Sequence, residues 1–337
     1  MSLAERLQRA WQEGGPLAQA LRPLGWIYGL LIEIRALLYR LGLRRAEALP
    51  VPVIVVGNWI VGGAGKTPTT LALLRLLQAQ GLAAGVISRG YGRDNDELRL
   101  VDRASTAAEV GDEPLLIHLR SGAPVAVGRD RVAAARALLA ARPELRLLIS
   151  DDGLQHWRLP RRLSVLVFDE RGLGNGRLLP AGPLRQRRTM SAEPSLVLYN
   201  AGAPSTALPG HLARRQLAGA VELAAWWQGA AADPLAWQGL RGRPVLAAAG
   251  LAQPERFFTM LRAQGLDVLP LPLPDHHDFS TLPWPADTAE VLLTEKDAVK
   301  LRPEQLGRTR VWVVALDFRP DDSFERALQQ ALQALPR

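Results

Sequence analysis

The stretch that decides the fold runs from residue 51 to residue 70 and reads VPVIVVGNWIVGGAGKTPTT. Its first six residues are mostly β-branched and apolar, which is typical of a buried strand. A glycine-rich loop follows, and a helix is expected from about Thr67. A loop of this kind between a buried strand and a helix lets backbone N–H groups and the positive helix end surround phosphate oxygens. The sequence therefore predicts a phosphate-binding loop.

Two side chains in this loop carry the chemistry of a nucleotide site. Lys66 is placed to reach the β- and γ-phosphates, and the hydroxyl of Thr67 is placed to hold Mg²⁺. The strict spacing of the P-loop motif would put its first glycine where Ile60 stands. We predict that the following residues bind ATP: Ile60, Val61, Gly62, Gly63, Ala64, Gly65, Lys66 and Thr67.

Composition narrows the possible functions. The chain has 337 residues, of which 48% are hydrophobic and 22% charged, which suits about two domains and excludes a disordered chain. Cysteine is absent, so disulfides, cysteine-bound zinc, Fe–S clusters and thiol catalysis are excluded. The formal charge of +8 favours anionic partners, although coding bias explains most of the arginine excess. No nucleic-acid-binding motif is found, so no nucleic acid partner is expected.

Lysine is rare in this basic chain. Of 41 lysines and arginines, only Lys66, Lys296 and Lys300 are lysines. A lysine in such a chain marks a position where the planar guanidinium of arginine would not serve.

Strand and helix patterns alternate along the chain, which predicts an α/β fold with a mostly parallel sheet and helices on both faces. We expect a P-loop NTPase-like domain, a smaller C-terminal α/β domain and an N-terminal amphipathic helix. The predicted boundaries are an N-terminal membrane-interface region at 1–45, a P-loop kinase domain at 46–215, a linker at 216–243 and the smaller α/β domain at 244–337.

The N-terminal region carries apolar residues at helical spacing between arginines. Its longest uncharged run, Pro23–Ile32, has ten residues, and a membrane-spanning helix needs about 20. The pattern favours a helix that lies in the membrane interface; a helix packed on the core is the alternative. The apolar positions are Trp26, Ile27, Leu30, Leu31, Ile34, Leu37, Leu38 and Leu41.

A P-loop needs a metal-binding carboxylate at the end of another strand. Asp151 and Asp152 follow one apolar run, and Asp169 and Glu170 follow another. Spacing alone does not choose between these pairs. The first pair is followed by the polar run GLQH, which suits a site, so we favour Asp151 and Asp152.

Other polar residues have ordinary explanations when they are considered alone. Asp112 and Glu113 begin a predicted helix, where acidic side chains are favourable first-turn charges. His276 and His277 lie in a predicted loop and would most simply be solvated.

Seven segments taken together resemble the tetraacyldisaccharide 4′-kinase family of the lipid A pathway. The resemblance extends from about residue 20 to about residue 316. The segments, in order, are Gly57–Pro68, Ser88–Arg93 (SRGYGR), Gly111–Pro114 (GDEP), Asp151–His156 (DDGLQH), Gly174–Arg185 (GNGRLLPAGPLR), Pro274–His276 (PDH) and Thr294–Lys300 (TEKDAVK).

This resemblance implies a kinase that uses ATP and Mg²⁺. The enzyme would transfer the γ-phosphoryl group to the 4′-hydroxyl of a tetraacyl glucosamine disaccharide 1-phosphate and form lipid IVA. It would be a peripheral or monotopic protein on the cytoplasmic face of the bacterial inner membrane, in contact with the anionic membrane surface. No obligate protein partner is inferred.

The resemblance also assigns roles to residues. Lys66 and Thr67 would bind the ATP phosphates, and Thr67, Asp151 and Asp152 would bind the metal. Asp112 would be the base for the sugar hydroxyl, oriented by His276 from the second domain, with His277 as the alternative partner. The expected catalytic residues are Asp112, His276, Lys66 and Asp151, and the expected substrate contacts are Asn58, Arg89, Tyr91, Gln155, His156 and Arg185.

Two other functions are compatible with parts of the sequence. A regulatory P-loop GTPase or ATPase at the membrane would carry an [NT]-K-x-D loop; Thr294–Asp297 (TEKD) has its letters but not its spacing. A non-enzymatic basic protein that binds membranes or nucleic acid is suggested by the net charge alone.

Overall fold

A computed structural model describes residues 3–187 and 195–334 of the chain. The helices are α1 (Leu3–Glu13), α2 (Pro16–Ala20), α3 (Arg22–Arg40), α4 (Lys66–Ala79), α5 (Ala107–Val110), α6 (Asp112–Ser121), α7 (Arg131–Ala141), α8 (Leu223–Trp227), α9 (Ala236–Leu240), α10 (Pro254–Ala263), α11 (Glu295–Ala298) and α12 (Asp322–Gln333). The strands are β1 (Val53–Gly57), β2 (Ala84–Ser88), β3 (Arg99–Val101), β4 (Val125–Val127), β5 (Leu147–Asp151), β6 (Leu163–Phe168), β7 (Ser195–Tyr199), β8 (His211–Glu222), β9 (Pro244–Ala249), β10 (Asp267–Pro272), β11 (Glu290–Thr294) and β12 (Arg310–Pro320).

The chain divides into two compact units that differ from the predicted domains. Unit 1 takes the described residues of 1–88, 130–214 and 320–337, and unit 2 takes residues 89–129 and 215–319. The segment 89–129, expected in the P-loop domain, thus groups with unit 2. The predicted linker 216–243 is also part of unit 2 and contains most of β8 together with α8 and α9. Residues 335–337 of the predicted C-terminal domain lie outside the described residues.

Unit 1 contains a parallel sheet in the order β7–β6–β1–β5–β2. Every residue of β1, β2, β5 and β6 is buried, as expected for strands covered on both faces. Val56 of β1 pairs with Asp151 of β5. Because these strands are parallel, the loop that follows β1 and the carboxylates that end β5 leave the sheet at the same edge.

Unit 2 contains a second parallel sheet, in the order β10–β9–β11–β12. Its core is made by apolar side chains of the strands and of α9 and α10, including Trp237, Phe258, Leu261 and Leu292. A short antiparallel pair, β3 with β4, and helix α6 complete the part that carries Asp112. The mixed α/β architecture with mostly parallel strands confirms the predicted fold class.

The N-terminal segment forms the predicted helix as α3 in unit 1. Its buried residues are small, namely Gly25, Gly29 and Ala36, and Gly25 lies against Ala181. The large apolar side chains point away from the protein, with Trp26 64% and Leu30 60% exposed. The described helices include none that is both long and apolar enough to cross a membrane. Helix α3 therefore packs through small residues and leaves an apolar face exposed.

Candidate functional site

The loop after β1 is shaped by two glycines in the left-handed region. Gly62 has φ of 94° and Gly65 of 95°, a conformation that costs other residues about 1–2 kcal/mol. A Cβ added at Gly65 would lie 2.2 Å from the amide nitrogen of Asn200. That amide donates a hydrogen bond to the carbonyl oxygen of Ala64 at 3.1 Å. The loop is thus closely packed at the point where it enters α4.

Lys66 is held inside this loop. Its side chain is 9% exposed, and its ammonium nitrogen lies 3.3 Å from the carbonyl oxygen of Gly62 and 3.4 Å from Oδ1 of Asn58. Asn58 also donates to the carbonyl oxygen of Gly62 at 3.1 Å. Oδ1 of Asp152 is 3.8 Å from the Lys66 nitrogen. The lysine is therefore positioned by the loop and by Asp152, one of the predicted metal ligands.

Arg171 is a further contact to the loop. Its guanidinium donates to the carbonyl oxygens of Gly63 at 2.7 Å and Val61 at 3.4 Å. Nε of the same guanidinium donates to Oδ2 of Asp169 at 2.9 Å. The Asp169 carboxylate, which the sequence offered as a rival metal ligand, pairs with this arginine. Spacing alone did not separate the two acidic pairs, because both follow similar strands; the polar run GLQH after Asp152 was the sequence signal that favoured the first pair.

Asp151 ends β5 and is almost fully buried, with 1% exposure. The hydroxyl of Thr70 on α4 donates to its Oδ1 at 2.9 Å. The next residue, Asp152, has φ of 47°, and a strained backbone of this kind clusters at functional sites. Burial raises the pKa of Asp152, but the charges of Lys66 and Arg185 outweigh burial and leave the pKa below its usual value. Asp152 is therefore an anion at neutral pH.

These residues fit a Mg²⁺ ion that arrives with a nucleotide. Mg²⁺ is usually bound by one or two carboxylates, with phosphates and water as its other ligands. Asp151, Asp152 and the Thr67 hydroxyl supply that type of ligand. Within the described residues, no group of three or more His, Cys, Asp or Glu side chains forms a metal cage, so the protein alone does not complete a coordination sphere here.

Three more of the predicted contacts lie in unit 1. Arg185 donates to both carboxylate oxygens of Asp152, at 3.0 and 3.1 Å, and to Oε1 of Gln155 at 3.3 Å. The Gln155 amide in turn donates to the carbonyl oxygen of Asn58 at 3.2 Å. Burial, followed by the charge of Arg131, lowers the pKa of His156 to about 4. His156 is thus neutral at pH 7.

Asp112 begins α6 in unit 2 and is 4% exposed. Its Oδ2 lies 2.9 Å from Nδ1 of His276, and its Oδ1 accepts a hydrogen bond from the backbone nitrogen of Glu113 at 2.9 Å. His277 instead packs its ring on Phe279, with centroids 4.7 Å apart. The structure thus brings His276, and not His277, to Asp112.

The resemblance implied that His276 reaches Asp112 from a second domain, whereas the structure places both residues in one compact unit. Both residues belong to unit 2, since segment 89–129 packs with 215–319. The backbone of His276 has φ of 60°, and the exposed ring of Tyr91 lies 5.4 Å from its ring. Arg89, another predicted contact, is exposed in the same unit.

Two lysines surround this pair. The ammonium groups of Lys296 and Lys300 each lie 3.9 Å from Oδ2 of Asp112. Burial raises the pKa of Asp112, but the hydrogen bond with His276 and the charges of Lys296, His276 and Lys300 outweigh it, and the pKa falls below its usual value. The hydrogen bond with Asp112 raises the pKa of His276. The rarity of lysine was the sequence signal for these two positions.

Comparison with known proteins identifies the family. The profile described as tetraacyldisaccharide-1-P 4′-kinase matches residues 17–333. The tetraacyldisaccharide 4′-kinase of Leptothrix cholodnii is 57% identical over 98% of this chain and 97% of its own length. That of Methylibium petroleiphilum is 56% identical over 98% of this chain and 94% of its own.

The chain belongs to the tetraacyldisaccharide 4′-kinase family.

A solved member of this family supports the fold as well. The crystal structure of LpxK from Aquifex aeolicus in complex with ATP has a TM-score of 0.79 and 27% sequence identity, and the match covers 94% of this chain and 99% of that one. The tetraacyldisaccharide 4′-kinases are ATP-dependent kinases of a lipid A precursor. The predicted family, enzyme class and use of ATP are confirmed, and the alternatives of a regulatory GTPase and a non-enzymatic binder lose their support.

Proposed function

We propose that this chain transfers the γ-phosphoryl group of ATP to the 4′-hydroxyl of a tetraacyl glucosamine disaccharide 1-phosphate, which yields lipid IVA and ADP. The observation that carries the proposal is the 2.9 Å contact between Asp112 and His276, in a chain of this kinase family. A buried carboxylate kept ionised beside a histidine is suited to receive a proton from a hydroxyl group.

The phosphate loop provides the anion-binding part of the reaction. Its backbone N–H groups and the start of α4 would receive the ATP phosphates, and Lys66 would bind the β- and γ-phosphates as a compact positive charge. Asn58 is best interpreted as a residue that positions Lys66, because its amide contacts both the lysine and Gly62. It would not need to contact the lipid directly.

Thr67, Asp151 and Asp152 are the proposed ligands of Mg²⁺. When bound, Mg²⁺ would neutralise charge on the β- and γ-phosphates. Asp151 would be held by Thr70 and Asp152 by Arg185, at the hydrogen-bond distances of 2.9 and 3.0 Å seen here. These contacts fix the two carboxylates before a nucleotide arrives.

Asp112 is the proposed base. Its carboxylate would take the proton of the 4′-hydroxyl as that O–H bond breaks, and the sugar oxygen would form a bond to the γ-phosphorus. The bond from this phosphorus to the β–γ bridging oxygen would break, and ADP would leave with the electron pair. His276 would orient the carboxylate, and positioning would account for most of the acceleration.

The remaining predicted contacts are proposed to recognise substrate or nucleotide. Tyr91 and Arg89 are exposed in unit 2, so both are accessible to a ligand. Gln155 and Arg185 are linked to Asp152 and Asn58 in unit 1, so their effect on substrate would include the geometry of those residues. His156 would act as a neutral hydrogen-bonding group.

The exposed face of α3 is the proposed membrane contact. Trp26, Ile27, Leu30 and Leu31 are each more than half exposed, which is costly in water and favourable at a lipid interface. We place the protein at the cytoplasmic face of the bacterial inner membrane, where arginines would favour anionic lipids. No nucleic acid and no obligate protein partner enter this proposal.

The direct test is phosphoryl transfer by the purified full chain. Incubation with the tetraacyl disaccharide 1-phosphate, ATP and Mg²⁺ should give equal amounts of ADP and the 4′-phosphorylated lipid. GTP in place of ATP tests the nucleotide, and the acceptor without a free 4′-hydroxyl is the matched control. Folded protein that fails to phosphorylate this acceptor would contradict the proposal.

A further inference from the structure

Lys296 and Lys300 are two of the three lysines in the chain, and the reaction described above uses neither. Lys296 lies in α11 and Lys300 just after it, both in unit 2. The side chains are 20% and 5% exposed. Two largely buried ammonium groups beside one carboxylate, in a chain that otherwise uses arginine, point to a task that needs a compact cation.

The contact between Lys296 and the imidazole of His276 defines that task. The ammonium nitrogen lies 3.4 Å from Nε2 of His276, while Nδ1 on the other side of the ring lies 2.9 Å from Asp112. An ammonium group donates hydrogen bonds and cannot accept one. Nε2 must therefore present its lone pair, and the ring proton sits on Nδ1 and is donated to Asp112.

We propose that Lys296 is a positioning residue that holds His276 as the neutral, Nδ1-protonated tautomer and so leaves Asp112 as the group that accepts the proton of the substrate hydroxyl. An imidazolium ion would direct a second N–H group at the ammonium, which is unfavourable. The inference rests on the proposed function for the identity of the hydroxyl, but the tautomer is a property of the protein without substrate.

Three other groups surround the contact between Lys296 and His276. Oδ1 of Asp275 lies 3.9 Å from Nε2 and 3.6 Å from the Lys296 ammonium, so it balances part of the charge of the lysine. Glu113 lies 3.5 Å from the same ammonium. The ring of Tyr91 also lies against the His276 ring and brings no charge to it. Among the residues that the structure describes, Lys296 is thus the cation in direct contact with the ring.

The opposing effects on the imidazole explain why a cation is needed there. The hydrogen bond with Asp112 raises the pKa of His276, while burial and the charge of Lys296 oppose the rise. Burial lowers the pKa of Lys296, but Glu113, Asp112 and Asp275 outweigh burial and keep the lysine protonated. Loss of Lys296 would therefore favour protonation of the ring.

Lys300 provides a matched control. Its ammonium lies 3.9 Å from Asp112 and 3.3 Å from Oδ1 of Asp297. Among the described residues, Lys300 pairs with these carboxylates and makes no hydrogen bond to the imidazole. Its removal should weaken the stabilisation of the Asp112 anion but leave the contact between Lys296 and Nε2 of His276 in place.

The test is ¹⁵N NMR of the full-length protein with labelled histidine, at several pH values and without substrate. The His276 signals are assigned from the spectrum of His276→Gln. Above the pKa of His276, which the hydrogen bond with Asp112 raises, the wild-type ring should show a protonated Nδ1 and an unprotonated Nε2. Lys296→Met should raise the pKa of His276 by about one unit or more and populate the other tautomer, whereas Lys300→Met should keep the wild-type tautomer.

Kinetics supply a second measurement. In Lys296→Met, the acid limb of the kcat–pH profile should move to higher pH, and kcat should approach the wild-type value above that limb. Lys296→Arg, which keeps the charge and the N–H donors but replaces the compact ammonium by a planar guanidinium, should recover the wild-type tautomer only in part and serves if the methionine variant does not fold.

The inference would be overturned by a neutral ring protonated at Nε2 in the wild-type protein, or by a Lys296→Met protein with an unchanged tautomer and pKa. A kcat that falls equally at every pH would also do so, because that is the mark of a merely structural role. Failure of the proposed function would look different, since the wild-type protein would then show the expected tautomer and no transfer to the lipid acceptor.

Discussion

The side-chain amide of Asn200 occupies the space that a side chain at Gly65 would need. Its nitrogen donates to the carbonyl oxygen of Ala64 at 3.1 Å and would lie 2.2 Å from a Cβ at residue 65. Asn200 follows directly after β7, while Gly65 immediately precedes α4. The phosphate loop is thus held against the end of β7, which is separated from β1 by β6 in the sheet, by a contact that only glycine permits.

Gly65→Ala should therefore weaken both the fold and the nucleotide site. The left-handed backbone costs alanine about 1–2 kcal/mol, and displacement of Asn200 adds the loss of a buried hydrogen bond of about 1 kcal/mol. Thermal unfolding should show a lower Tm, and KM for ATP should rise. Gly63→Ala is the control for stability, because a Cβ there meets open space. Equal Tm values for the two variants would contradict this role of Asn200.

Lys66→Ala should abolish most of the activity and leave the fold intact. The lysine contacts the loop and Asp152, but its main contribution would be charge stabilisation of the transferred phosphoryl group. Loss of a preorganised group of this kind typically costs about 10²–10³ in kcat. Steady-state kinetics with the lipid acceptor measure the effect, and circular dichroism checks the fold. A variant with wild-type kcat would show that the loop is not the ATP phosphate site.

The part of the fold that follows from local pattern was predictable. The apolar β-branched run and the GKT sequence predict a strand, a loop and a helix, and the structure places β1 at Val53–Gly57 and α4 at Lys66–Ala79. Both elements depend on side chains near in sequence. The edge shared by this loop and Asp151 also follows, because the carboxyl ends of parallel strands meet at one edge.

The site in unit 2 was not predictable from the residues alone. Asp112 and His276 are separated by 164 positions in the sequence, and only tertiary contacts bring them together. Alone, the aspartate resembles a first-turn charge and the histidine a solvated turn residue; the family resemblance supplied their pairing. It did not supply their common unit, because the membership of 89–129 depends on packing that no local pattern records.

The membrane proposal predicts that replacing apolar residues of α3 by serine reduces binding to anionic lipid vesicles. Each of Trp26→Ser and Leu30→Ser should weaken partition by about 1–2 kcal/mol, the value expected for the apolar area lost from the lipid. Leu235→Ser in unit 2 is a matched control, because Leu235 is as exposed as Trp26, at 64%. Sedimentation with phosphatidylglycerol vesicles measures the partition. Equal binding by all three variants would mean that α3 is not the membrane contact.

Asp112→Asn should lower kcat by about 10²–10⁴, the range of general base catalysis, with little change in KM for ATP, because the base acts on the lipid acceptor. The wild-type pH profile should have an acid limb with a macroscopic pKa that belongs to the Asp112–His276 pair. Asp112 has a lowered pKa in the folded state, so its contribution to stability is full above the unfolded value, near 4, and is lost as pH falls through the folded pKa.

The asparagine variant should therefore lose the pair's acid limb in its residual kcat, and its Tm should depend less on pH than the wild-type Tm at acidic pH. Asp278→Asn is the control for a surface carboxylate, because Asp278 is exposed and bonded to Ser280. If Asp112→Asn raised KM for ATP and left kcat unchanged, Asp112 would act in nucleotide binding and not as the base.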